Sequence, residues 1–358
     1  MILKNKNRKS LVILGAGATR GALSGTFSPR IQPPLNADFF PILSKFIKTD
    51  EGKRYTKSFK RISVFLEKEF GQKGSEYPTM EEVFNVLFIS KDLPKIFSKG
   101  RGRKRDKGFR QEVNDFLGLL IRIFRFVQSR CNHRDNLQHH QIIAQSLRLG
   151  DTLMTLNYDT LMDNALVNAG WNPQHGYGFQ AKVIYNGNKP KSFSPNLRDV
   201  KLLKPHGSFN WFAKGSFITL EQTLEKRPVS QVQITELPKL YDSRAKRLIR
   251  FFIPPLYAKF FKNNFWANQW TQTYSAARDA DCIIIIGCSL IATDYHLKAI
   301  LSKALADRKK KLKELIIVDP SEKVQKDLKK FFRGCSQTGC KVYLSFSEFC
   351  RKAILNSK

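Results

Sequence analysis

Short aliphatic runs recur along the chain, and most of them lead into a turn and then into a helical pattern. These runs, which predict strands, are residues 11–14, 152–156, 282–286, 315–318 and 342–344. Strands that alternate with helices form parallel sheets with helices on their faces. We therefore expect an α/β fold built on a Rossmann-like, doubly wound parallel sheet.

The periodicity becomes helical between residues 36 and 149. Apolar residues recur there at intervals of three and four, most clearly at Val113, Phe116, Leu117, Leu120, Ile123, Phe124 and Val127. Another helix is predicted over residues 56–70, and Thr79 with Glu82 has the pattern of a capping box that opens a third. The segment 36–149 is thus predicted to be a large helical insertion.

Two segments show no clear secondary structure in their pattern. Residues 99–110 combine three glycines with dense positive charge, which predicts an exposed loop. Residues 171–255 have weak periodicity apart from a short segment at 201–204, and we interpret them as a loop-rich insertion. Residues 1–358 are then interpreted as one domain that carries the two insertions.

Composition argues against a membrane or secreted protein. The longest aliphatic run, residues 283–286, is far too short to span a bilayer, and the basic N-terminal residues lead into a glycine loop instead of a signal peptide. Six scattered cysteines do not make a disulfide scaffold. We expect free thiols and a cytoplasmic location.

The charge balance is strongly basic. Lysine and arginine total 62 against 30 aspartate and glutamate residues, which leaves a formal net charge of +32. Such a surface attracts polyanions or an acidic partner subunit. The alternative is a basic surface that is only solvated.

The first candidate for chemistry is a glycine turn directly after the first predicted strand, with Gly15, Ala16, Gly17 and Thr19. Glycines in such a turn let backbone N–H groups approach a pyrophosphate, and the start of the next helix adds positive potential. Because the spacing differs from the usual dinucleotide-binding motif, an ordinary glycine turn explains the string equally well.

Asn157 and Asp159 follow the second predicted strand. Open α/β sheets bind their ligands at this end of their strands, so the position favours a functional role. The alternative is that Asp159 caps the next helix and Asn157 satisfies backbone groups of the turn.

A lone histidine, His206, lies in a turn between Pro205 and Gly207. A histidine that titrates near about pH 6.5 suits a general base. The alternative is a loop histidine that is satisfied by backbone groups.

Two more candidates follow later strands. Gly287 and Ser289 come after the aliphatic strand 282–286, and Asp294 lies near the start of the next helix. Asp319 ends the strand 315–318, where a carboxylate can accept hydrogen bonds from ribose hydroxyls. Each of these residues could instead be structural.

Together and in this order, the five motifs resemble the sirtuin family, and most closely the sirtuin-like NAD hydrolases of bacterial antiphage defence. The resemblance extends from Leu11 to Pro320. It implies an NAD-binding domain in which the pyrophosphate is held by Gly15, Ala16, Gly17 and Thr19.

The resemblance also implies roles for the other motifs. Asn157 and Asp159 would line the nicotinamide ribose, and His206 would be the base. The remaining NAD-binding residues would be Gly287, Ser289, Asp294 and Asp319, with Ser289 and Asp319 at the adenosine half.

The sequence departs from the deacylase pattern of that family. Leu156 stands where deacylases carry glutamine, and no cysteine lies between His206 and Cys282, where they place two zinc-binding pairs. The Asp-Phe-Arg string that follows the first loop in deacylases also has no clear match. We therefore expect no zinc or other metal, and peptide deacylation is the weaker interpretation.

The resemblance predicts an NAD+ glycohydrolase that releases nicotinamide and ADP-ribose, as an effector of antiphage defence that depletes NAD+ in abortive infection. A protein partner or self-assembly would gate the activity, and the basic surface could bind nucleic acid. One alternative is an NAD-dependent protein deacylase. The other is a noncatalytic module that senses a nucleotide and docks nucleic acid.

Overall fold

The computed structural model describes residues 8–23, 31–71, 76–87, 110–131, 138–184, 192–214, 232–235, 248–252, 264–289 and 295–355. The chain divides into two compact units. The first comprises Met1–Ser24, Cys131–Ile253 and Lys259–Lys358, and the second comprises Gly25–Arg130 and Pro254–Ala258.

A six-stranded sheet with the order β10-β9-β8-β1-β2-β4 forms the centre of the first unit, and all its neighbouring strands are parallel. Its strands are β1 (Ser10–Leu14), β2 (Thr152–Thr155), β4 (Lys201–Leu203), β8 (Cys282–Ile286), β9 (Glu314–Val318) and β10 (Cys340–Tyr343). All five predicted strands are present, and the short segment at 201–204 is the edge strand β4. The order reverses between β1 and β8, which makes this pair the switch point of the sheet.

Helices cover both faces of this sheet. Alternate residues of β1 lie in different cores: Leu11 and Ile13 pack in one, and Val12 and Leu14 pack in the other. The helices of this unit are α1 (Ala16–Ala22), α5 (Gln138–Ser146), α6 (Leu161–Asn168), α7 (Pro173–Gly176), α8 (Asn264–Asp279), α9 (Tyr295–Ala306), α10 (Glu322–Phe331) and α11 (Phe346–Phe349). The doubly wound parallel sheet is therefore confirmed.

The first unit contains a second sheet that the sequence pattern did not reveal. Its order is β3-β6-β5-β7, and β5 pairs antiparallel with both β6 and β7. The strands are β3 (Lys182–Ile184), β5 (Gly207–Lys214), β6 (Val232–Thr235) and β7 (Leu248–Phe252). They lie in the segment 171–255, which we interpreted as rich in loops.

The second unit is helical, as predicted for residues 36–149, but the end of that segment, with α5, belongs to the first unit. Its helices are α2 (Phe39–Ile47), α3 (Thr56–Phe70), the helical residues 80–87 and α4 (Arg110–Cys131). The Phe116 ring lies 4.5 Å from the Phe84 ring and 5.5 Å from the Phe40 ring, between centroids. The capping box is confirmed, because Thr79 N donates to Glu82 Oε2 at 2.7 Å and Glu82 N donates to Thr79 Oγ1 at 3.3 Å. Residues 99–109 of the predicted loop 99–110 lie outside the described residues, and its last residue, Arg110, begins α4.

No helix in the described parts of the chain is long and apolar enough to cross a membrane.

A buried histidine makes the first unit sensitive to acid. His140 in α5 is 2% exposed, and its ring packs edge-on against Phe346 of α11 at 5.4 Å between centroids. Its Nδ1 has no hydrogen-bond partner among the residues that the structure describes. Burial, with a smaller contribution from His139, lowers the pKa of the His140 imidazole to about 3. Between these two pKa values, the His140 imidazole is therefore neutral in the folded protein and protonated in the unfolded chain.

We expect the free energy of unfolding to fall as pH drops below 6.5, the usual pKa of histidine, by about 1.4 kcal/mol for each pH unit. At pH 5 this amounts to about 2 kcal/mol, measured by urea unfolding. His140→Leu should remove this part of the pH dependence, and His175→Leu, at an exposed histidine, should leave it in place. An unchanged pH profile in His140→Leu would contradict the assignment.

Candidate functional site

The loops that follow β1 and β8 interlock at the carboxyl end of the sheet. Gly15 N donates to Ile286 O at 3.0 Å, and Gly17 N donates to Gly287 O at 2.9 Å. These loops lie at the switch point, where doubly wound sheets have their ligand crevice. The predicted glycine motif therefore occupies the position that this fold uses for binding.

The close approach of the two loops explains the glycines. A Cβ on Gly15 would overlap the carbonyl oxygen of Gly287, and a Cβ on Gly17 would lie 2.8 Å from the same atom. Gly287 has a φ of 56°, in the left-handed region that glycine adopts readily. Ala16, between the two glycines, is exposed, and its amide makes no hydrogen bond within the described residues. This amide is the group in the turn that remains available to a ligand.

Asn157, Thr19 and Asp159 form one hydrogen-bonded group beside this turn. The Asn157 amide nitrogen donates to Gly15 O at 2.9 Å and to Thr19 Oγ1 at 3.0 Å, and Thr19 Oγ1 donates to Asp159 Oδ2 at 2.8 Å. Both amide hydrogens of Asn157 are thus used within the protein. In the described part of the chain, its Oδ1 has no donor and remains as an acceptor for a ligand.

Asp159 also has the structural role that we weighed as its alternative. Its Oδ1 accepts a hydrogen bond from Leu161 N, at the first residue of α6, at 3.1 Å. Both carboxylate oxygens are therefore occupied, and the side chain is 8% exposed. Such a group can position its neighbours, but it has little surface for a substrate.

His206 lies in a tight turn between β4 and β5. Gly207 N donates to Lys204 O at 2.8 Å, and Gly207 has a φ of 78°. The His206 side chain is 7% exposed, and its ring centroid lies 6.4 Å from that of Tyr158 and 5.9 Å from that of Trp270. Little of the imidazole is therefore exposed.

The turn of His206 is joined to the loop of Asn157. Phe209 N donates to Tyr158 O at 3.0 Å, and Ser208 Oγ donates to the same oxygen at 3.3 Å. Because β2 and β4 are neighbours in the sheet, both loops follow adjacent carboxyl ends. The structure therefore brings the Asn157 and His206 segments together at one edge of the sheet.

Lys204 is a further residue of this region, and the sequence did not indicate its role. Its side chain is completely buried, and its Nζ donates to Asp159 O at 2.6 Å and to Asp163 Oδ2 at 3.0 Å. Tyr177 Oη donates to the other oxygen of Asp163 at 2.5 Å. Lys204 N donates to Gln269 Oε1 at 3.1 Å. This ion pair joins the base of the His206 turn to the loop that carries Asp159.

Asp319 lies next to the Gly287 turn. It follows β9, and Gly287 N donates to Val318 O at 2.9 Å. Asp319 Oδ1 accepts from Ser321 N at 2.9 Å, and burial raises the pKa of the Asp319 carboxyl. Ser289 follows the same turn and is partly exposed, whereas Asp294 lies outside the described residues. The described members of this group thus lie at the carboxyl edge, as their positions after strands predicted.

Five cysteines have described side chains, and none of them is in a disulfide: Cys282, Cys288, Cys335, Cys340 and Cys350. Among the described residues, no three His, Cys, Asp or Glu side chains are grouped closely enough to hold a metal ion.

Comparison with known proteins gives a family match. The model of the SIR2-like domain family matches residues 151–337, just over half of the chain. No curated protein matches. Among solved structures, a Sir2 homologue in complex with NAD is 15% identical, with 99% of this chain and 91% of that chain covered and a TM-score of 0.41. A Sir2 complex with a p53 peptide and NAD+ is 14% identical, covers 98% of this chain and 94% of that chain, and has a TM-score of 0.38.

Proposed function

This chain belongs to the SIR2-like domain family, and from that premise we propose that it binds NAD+ and hydrolyses the bond between nicotinamide and ribose. The products are nicotinamide and ADP-ribose. The observation that carries the proposal is the group formed by Asn157, Thr19 and Asp159, which is bonded to the glycine turn and adjoins the turn of His206.

The reaction needs little covalent chemistry from the protein. The C1′–N1 bond of NAD+ breaks, and its electron pair neutralises the positive charge of the nicotinamide ring. A water oxygen bonds to C1′, and the proton of that water leaves through a base to solvent. The enzyme must therefore orient the ribose, stabilise a cationic sugar and accept one proton.

Asn157 would orient the ribose or the water through its side-chain oxygen. Both of its N–H donors are held by Gly15 O and Thr19 Oγ1, so the direction of Oδ1 is fixed before a ligand binds. A fixed acceptor loses little conformational freedom on binding. Asp159 acts through Thr19 and is a positioning residue.

His206 would accept the proton from water or from a ribose hydroxyl. Its burial between Tyr158 and Trp270 fixes the ring plane and limits access of bulk water. A base must lie within hydrogen-bond reach of the proton that it removes, and a ring that is 7% exposed can be reached by a substrate in few orientations.

The glycine turn and the later strands would hold the rest of NAD+. The exposed Ala16 amide can donate to a pyrophosphate oxygen, and the closely packed Gly15 and Gly17 bring that amide to the crevice. Ser289 and Asp319 are proposed to face the adenosine half, together with Asp294 and with Gly287, which lies in the turn that Ser289 follows.

Hydrolysis is favoured over deacylation by Leu156. This side chain packs partly buried against the core that includes Met154 and Leu203, so an apolar group stands where deacylases carry an amide. A defence role in which the enzyme depletes NAD+, under the control of a partner or of self-assembly, is part of the same proposal. The strong positive charge supports a nucleic acid or an acidic protein as that partner.

Product analysis tests the reaction. Purified protein is incubated with NAD+ alone, with NAD+ and DNA or RNA, and with NAD+ and an acetyl-lysine peptide, and the products are separated by chromatography. Nicotinamide and free ADP-ribose in equal amounts without peptide are the expected result. Acetyl-ADP-ribose formed only with the peptide would identify a deacylase instead, and no turnover in any arm, with NAD+ binding retained, would favour the noncatalytic alternative.

A further inference from the structure

A cavity lies at the amino ends of β8 and β9. Its volume is about 630 Å³. It opens where α8 ends and where the segment between α9 and β9 passes, and we call it the basic cleft. Its lining residues that carry charge are Arg278, Asp279, Asp281, Asp307, Arg308, Lys309, Lys310, Lys311 and Lys313. The NAD+ site proposed above lies at the carboxyl ends of the same strands, so the cleft is a separate feature.

The acidic side chains of the basic cleft are already paired. Asp279 accepts from Arg278 at 2.7 Å. Asp281 pairs with Lys313 at 3.0 Å, and Asp307 pairs with Lys303 at 2.8 Å. These carboxylates therefore neutralise Arg278, Lys313 and Lys303, and the positive charge of the remaining cleft lysines is left over.

Three consecutive lysines supply the uncompensated charge. Lys309, Lys310 and Lys311 are exposed, and no carboxylate pairs with any of them in the part of the chain that the structure describes. Each ammonium group can therefore bind an anion without first breaking an ion pair.

Arg308 holds this lysine segment in place. Its guanidinium donates to Ala277 O at 2.7 Å, to Arg278 O at 2.8 Å and to Ala280 O at 2.5 Å, which satisfies carbonyls at the end of α8. Its Nε donates to Lys310 O at 3.1 Å. The backbone that carries the three lysines is thus fixed before binding, so an anionic ligand orders little more than the lysine side chains.

We propose that the basic cleft binds the phosphate backbone of nucleic acid. Lysine presents a point charge without the planar donor fork that reads base edges, so the expected binding is independent of base sequence. Successive charges along one chain segment suit a polymer of phosphates, and the net charge of +32 attracts such a polymer from a distance.

The test measures binding of a fluorescent 20-base-pair DNA duplex by anisotropy across a salt series. It compares the wild type with Lys309→Ala/Lys310→Ala/Lys311→Ala. The matched control replaces Lys48, Lys57 and Lys60 with alanine, because these lysines are also exposed but lie in the helical unit. Both variants lose the same charge.

The lysine-segment variant should bind at least about tenfold more weakly at 50 mM salt, and its salt dependence should be less steep by up to about 2.7 in log K against log salt. The control should stay within about twofold of the wild type. Equal losses in both variants, or no DNA binding by the wild type at 50 mM salt, would overturn the proposal. Binding of a fluorescent polyglutamate chain, with no DNA binding, would identify an acidic protein partner instead. Since the assay contains no NAD+, its outcome is independent of the proposed hydrolase activity.

Discussion

Replacing Asn157 with alanine is expected to lower nicotinamide release from NAD+ by at least about 100-fold while the protein stays folded. The substitution removes the Oδ1 acceptor and frees Gly15 O and Thr19 Oγ1 from the amide that bridges them. The glycine turn keeps its bonds to Ile286 and Gly287, so the sheet should survive. Release of nicotinamide is measured at saturating NAD+, and folding by thermal unfolding.

His206→Ala should have a similar effect, about 100-fold to 10,000-fold, which is the usual contribution of a general base. If the two residues act on one substrate as a unit, the double variant should be little worse than either single variant. The matched controls are Asn268→Ala and His175→Ala, which change the same residue types at exposed positions of the same unit. Turnover near that of the wild type in both site variants would remove the catalytic assignment.

The strands of the parallel sheet could be predicted from the sequence because they are buried on both faces. Every residue of β1, β8 and β9 is buried, so each strand appears as an almost unbroken aliphatic run. The helices of the second unit could be predicted for the opposite reason, because α3 and α4 bury only one face and keep a regular apolar spacing.

The second sheet could not be predicted from the sequence, because its strands pair with strands that are distant in the chain. Strand β3 has three residues and pairs with β6, whose residues follow about fifty positions later in the chain. Strand β5 carried a usable signal in the alternation of Ser208, Phe209, Asn210 and Trp211, but its pairing with β7 shifts register between Gly207 and Phe212. A local pattern does not specify which distant strand becomes the partner.

The motifs of the candidate site were predictable for a local reason. Each one follows a strand, and parallel strands in a doubly wound sheet end at one edge. The connection between the motifs was not predictable. The bonds of the Asn157 amide to Gly15 O and Thr19 Oγ1, and the bond of Thr19 Oγ1 to Asp159, join chain segments about 140 residues apart.

A buried lysine is the feature that sequence reasoning was least able to find. Lysine is seldom fully buried unless it is paired, so Lys204 would ordinarily be assigned to the surface. Its partner Asp163 stands 41 positions earlier in the chain, and Tyr177, which donates to the same carboxylate, stands 27 positions earlier. Only the folded arrangement shows that the lysine before the His206 turn is part of the core.

Lys204→Met is accordingly expected to lower the free energy of unfolding by about 3–5 kcal/mol, because it leaves the Asp163 carboxylate buried without its cation. The bond to Asp159 O is lost as well, which loosens the loop that carries Asn157. Lys201→Met, at the exposed first residue of β4, the strand that ends just before Lys204, should change that free energy by no more than about 0.5 kcal/mol in the same urea titration.

The double variant Lys204→Met/Asp163→Asn separates the unpaired charge from lost packing. Asparagine can still accept the hydrogen bond of Tyr177 Oη but carries no charge, so the double variant should recover most of the stability that Lys204→Met loses. If the double variant is as unstable as Lys204→Met alone, the cost comes from packing or from the lost bond to Asp159 O. A loss below about 1 kcal/mol in Lys204→Met would show that the ion pair contributes little, and the His206 turn would then have to be held by its bonds to Tyr158 and by the strands on either side.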